Sequence, residues 1–115
     1  MRYLVLTALL ATPAFADDPV IEAVTAKQSD QTWRFDVTVS HPETGWDDYA
    51  DGWRVLDMDG NELGIRVLHH PHENEQPFTR SLSGVSIPEG TAQVQVQART
   101  NVDGWAEETF VVDLN

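Results

Sequence analysis

Cysteine is absent from all 115 residues. Its absence excludes disulfides, thiolate-ligated metal centres and a lipid attached through a cysteine of this chain. Positive charge is scarce too: 7 Lys and Arg stand against 19 Asp and Glu, a formal net charge of −12. Such a chain repels nucleic acid and anionic lipid, so neither is expected as a partner. Long apolar runs are also lacking. The N-terminal run, residues 3–11, is shorter than the roughly 20 residues a membrane-spanning helix needs. No Gly-rich phosphate loop, nucleophile motif or H-E-x-x-H helix is present, and the chain reads as a non-enzyme. Carboxylate pairs such as Asp47 or Asp51 with Glu73 can be drawn, but carboxylates meet by chance in a chain this acidic.

What is there begins with an export signal. Basic Arg2, the apolar run and the small-x-small stretch Ala14-Phe15-Ala16 precede Asp17-Asp18, which predicts cleavage after Ala16. Residues 1–16 are then a signal peptide and 17–115 one domain, in the periplasm or secreted, with no membrane insertion after cleavage. A domain of that size buries a modest core. It is expected to be a monomer.

Alternation of apolar and polar residues dominates the rest, the pattern of half-buried strands. Trp33, Phe35, Val37 and Val39 face in while Arg34, Asp36, Thr38 and Ser40 face out. Ala92, Val94, Val96 and Ala98 behave alike, as do Leu63, Ile65 and Val67. Shorter runs at 20–26, 53–58, 78–87 and 109–114 bring the expected total to seven strands. Turns are signalled by Asp59-Gly60-Asn61, Pro88-Glu89-Gly90 and Asp103-Gly104. The expected fold is all-β, a seven-stranded antiparallel sandwich.

The stretch from Ile87 to Ala98, with Asn101 and Gly104, resembles the F strand and FG loop of fibronectin type III domains. The resemblance implies a fibronectin type III or immunoglobulin-like fold, although Ala92 stands where those domains carry a tyrosine. Gly45-Trp46, His70-Pro71-His72 and Glu75-Gln76-Pro77-Phe78 also resemble small uncharacterised exported proteins of alphaproteobacteria, a likeness that implies no activity.

Alternate loops of such a sandwich share an end. Residues 41–51, 69–77 and 100–108 are therefore expected together, and they hold all four histidines. Pro71 favours extended chain, where residues two apart project to one side, about 6.5–7 Å apart. His70 and His72 could thus converge on copper(II) or zinc, with His41, His69, Glu73 or Glu75 completing the shell. The leading expectation is a metal carrier or buffer. The alternative is a non-enzymatic interaction module that binds a basic protein or cationic ligand through Trp46, Asp47, Asp48, Tyr49, Asp103 and Trp105. Trp46 and Trp105 are expected to fold down over the end of the core, and Trp33 and Trp53 to lie within it.

Overall fold

A computed structural model describes residues 17–114, so the signal peptide expected over residues 1–16 lies outside the described residues. There the chain is all strand and loop: β1 (Val20–Ser29), β2 (Thr32–Ser40), β3 (Ala50–Leu56), β4 (Glu62–Val67), β5 (Phe78–Val85), β6 (Gln93–Thr100), β7 (Gly104–Trp105) and β8 (Phe110–Asp113). Among the described residues no helix is long and apolar enough to cross a membrane.

The strands form two antiparallel sheets, β1-β2-β5 and β4-β3-β6, with β7 and β8 both pairing β6. This order is compatible with a fibronectin type III or immunoglobulin-like sandwich. The count is eight rather than seven because Gly104 takes a φ of 76° and folds Trp105 back opposite Arg99. That short return adds a strand inside the third loop without reversing the order of the others.

Alternation sets the inner faces. Phe35, Val37 and Val39 from β2 meet Trp53 and Val55 from β3 and Val94, Val96 and Ala98 from β6, all essentially without exposure. Burying each large side chain contributes roughly 1.5–3 kcal/mol, the main support of a domain without cross-links. Trp53 belongs to this core, while Trp33 packs on it only in part.

One strand leaves the expected phase after Leu63, which still packs partly against the core. On β4, Ile65 and Val67 are exposed, while Gly64 faces β5, where a Cβ would meet Leu82 at 3.1 Å and Val85 at 3.3 Å. A register shift between Val55 and Leu56 separates the strand from its hairpin. A slip of one residue exchanges the two faces of a strand.

The hairpin itself is built by Asp57. Its Oδ1 accepts the backbone N–H groups of Asp59 and Asn61, at 2.9 and 2.8 Å, and Gly60 supplies a φ of 91°. The Asn61 side chain, first, and these backbone N–H groups hold the Asp57 carboxyl below its ordinary range.

Candidate functional site at the loop-rich end

Three loops meet at one end, as alternation of the connections requires. Asn101 ties the third to the first: its N–H donates to Tyr49 O at 3.1 Å and its Nδ2 donates to Trp46 O at 3.0 Å. Its Oδ1 accepts the Tyr49 N–H at 2.9 Å. Gln76 ties the second loop to the first, accepting the His41 N–H and donating to His72 O, each at 2.9 Å.

At the centre lies Glu43, whose side chain is 0% exposed. Its Oε2 accepts the Ala50 N–H at 2.6 Å and faces His41 Nδ1 at 3.0 Å. Its Oε1 accepts the His72 N–H at 2.6 Å. One carboxylate thus joins the start of the first loop, the start of β3 and the second loop. From the sequence, Glu43 carried no assigned role. A signal was present: His41-Pro42-Glu43 has the same proline-spaced i, i+2 form that singled out His70 and His72.

The four histidines do not converge. His41 is buried with both ring nitrogens occupied, since Nε2 lies 2.8 Å from Asp17 O. His72 is buried with its ring stacked on Phe78 at 3.9 Å, and neither of its nitrogens has a hydrogen-bond partner. Burial, followed by the charges of Arg80 and His70, pushes the His72 imidazole below its ordinary pKa. His70 is exposed, its ring centroid 4.8 Å from that of His72, and its Nδ1 lies 3.3 Å from Pro71 O. His69 is exposed. Glu75 is paired with Arg80 at 3.1 Å, and Glu73 lies beside Gly45. Among the described residues, no group of three or more His, Asp or Glu side chains is disposed to hold a metal ion.

The aromatic residues also part company. Trp46 does not cap the core: it is 65% exposed, with its ring edge-on to Tyr49 at 5.6 Å. Trp105 lies on the outer face of the five-stranded sheet, with the Arg54 guanidinium 3.9 Å and that of Arg99 5.1 Å from its ring centre. Arg99 alternates with buried Ala98, so its partner across the ladder, Trp105, is carried outward. Asp47 and Asp103 are exposed. Asp48 is half-buried, its Oδ1 enclosed, without a hydrogen-bond partner and 3.8 Å from His41 Nε2.

No family model matches the chain, and no solved structure matches it. A protein of the archaeon Halomicrobium mukohataei bearing the name "Putative lipoprotein" is 36% identical over 94 residues. The match covers 82% of this chain and 46% of that protein, so the chain spans a little under half of its relative's length. That relative is archaeal, not alphaproteobacterial.

Proposed function

We propose that this chain is a non-enzymatic binding module of an exported or envelope-associated protein, and that its loop-rich end grips a basic or cationic partner. Trp46 carries the reading. A ring left 65% in water on a backbone braced by Asn101 has the form of a binding anchor, large and amphipathic on a support already ordered. Asp47, Glu73 and Asp103 stand exposed in the same three loops, and the net charge of −12 draws cations toward them. The relative's name, with its reference to a lipoprotein, supports export or attachment to the envelope. These 115 residues hold no cysteine to carry a lipid.

A copper(II) or zinc carrier draws less support. Only the His70 and His72 rings lie side by side, and His41 is engaged on both nitrogens. A structural zinc site uses about four protein ligands.

Isothermal titration of residues 17–115, free of any His-tag, with a Lys- and Arg-rich peptide tests the proposal. Binding is expected, weakening as salt screens the loop charges. Trp46→Ala should cost about 2 kcal/mol or more of that affinity. No binding by the parent, or equal binding by Trp46→Ala, overturns the reading.

A further inference from the structure

We infer that His41 is a buried imidazolium, protonated on both nitrogens and locked to the Glu43 carboxylate, and that this pair is the positioning device of the Trp46 loop. The positioning half rests on the binding role proposed above; the charge state does not.

Hydrogen-bond chemistry carries the inference. A backbone carbonyl can only accept, so His41 Nε2, 2.8 Å from Asp17 O, must bear a hydrogen. Nδ1 lies 3.0 Å from Glu43 Oε2, and that carboxyl already takes the N–H groups of Ala50 and His72. Each of its two oxygens accepts a backbone N–H at 2.6 Å, short contacts of the charge-assisted kind, which mark an ionised carboxylate with no hydrogen to give back. Nδ1 must then donate as well, and an imidazole donating from both nitrogens is positively charged.

The surroundings agree. Asp48 Oδ1 lies 3.8 Å from the same ring, so two carboxylates flank one imidazole. Among the described residues, neither Glu43 nor Asp48 is paired with a lysine or arginine; those ion pairs go to Asp36, Asp51, Glu62 and Glu75. A neutral His41 would leave the Glu43 charge wholly buried without a counter-charge, a costly arrangement. A cationic one balances it and neighbours Asp48. The other titratable ring touching this group, His72, approaches Glu43 Oε1 at 3.8 Å, and its burial disfavours the charged form.

The pair holds the first loop at its root. Glu43 is bound to Ala50 N at the head of β3, so residues 43 and 50 are closed around Trp46, and His41 fastens the incoming chain at Asp17. Trp46 is thereby presented on an ordered loop, which lowers the entropy lost on binding.

Nitrogen-15 correlation spectra of the histidine rings in residues 17–115 decide the charge state. At about pH 7.5 a free imidazole is roughly nine-tenths neutral. His41 is expected to show two protonated nitrogens there. One bare nitrogen on His41 overturns the inference, whichever partner holds the proton. Glu43→Gln, which replaces an acceptor by an amide donor, should abolish the doubly protonated signature and weaken binding of the Lys- and Arg-rich peptide about tenfold. If that variant does not fold, the parent spectrum still decides the charge state. A folded Glu43→Gln protein that binds the peptide as the parent does would overturn the positioning role. A parent with both protons in place that binds no peptide would remove the proposed function and leave the ion pair standing.

Discussion

His72 shows how one side chain can carry an acid sensitivity that the fold as a whole does not need. Its ring lies flat on Phe78 with both nitrogens shut away from partners, and burial, Arg80 and His70 all disfavour a proton there, against Glu43 and Glu75. In the unfolded chain the same imidazole takes a proton near about pH 6.5. The folded state binds fewer protons, so this group's stabilisation is complete above about pH 6.5 and is lost as pH falls toward its folded pKa. His72→Phe keeps the stack and removes the titration. Relative to the parent, the variant should gain in urea midpoint between about pH 7 and about pH 5. An unchanged difference across that window would mean the ring is free to charge. Asp36, held low by Arg34 and Ser81, and Glu75, held low by Arg80, release their stabilisation only under more acid conditions, within or below the carboxylate range.

At the scale of the element, β4 is where spacing misled. Leu63, Ile65 and Val67 carry the apolar identities, yet Ile65 and Val67 lie in water because Gly64 and Arg66 occupy the other face. Periodicity establishes that a strand alternates, and the register at its hairpin selects the face. Gly64 is the tell-tale: it lacks a side chain where Leu82 and Val85 press from β5. Gly64→Val should therefore lower stability by about 1–3 kcal/mol through overpacking. Ile65→Thr, on the exposed side, should change it by about 0.5 kcal/mol or less. Urea unfolding compares the two. Equal effects would contradict the close approach of β4 to β5. On β2 and β6 alternation placed the buried faces, Phe35 to Val39 and Val94 to Ala98, although Ala92 lies exposed ahead of β6.

For the whole molecule, stability rests on packing between two sheets and on the loop network around Glu43, with no disulfide to help. The core is built from apolar side chains that are not metal ligands. Far-UV circular dichroism in chelator should keep a strand spectrum, with a melting temperature within about 2 °C of the chelator-free value, below the shift expected for about 1 kcal/mol in a domain of this size. A large fall would make a metal part of the fold. The charge of −12 acts at this scale too: it favours solubility, and under the proposed function it predicts that binding at the loop end weakens with ionic strength.

By itself the sequence determined the all-β class, the course of most strands and the meeting of three loops at one end. These follow from local rules: alternation with a period of two, turn residues, and chain reversal at each connection. Tertiary structure alone decided which loop residues do what. His41, His69, His70 and His72 look alike in sequence, yet one is enclosed by acceptors, one is stacked on Phe78 and two face solvent. Trp46 and Trp105 look alike as well, but one stands in water and the other lies beneath two arginines. The difference is physical. A strand's pattern is written in neighbours along the chain, whereas the protonation, burial and pairing of a loop side chain depend on groups up to 55 positions away, as between Trp46 and Asn101.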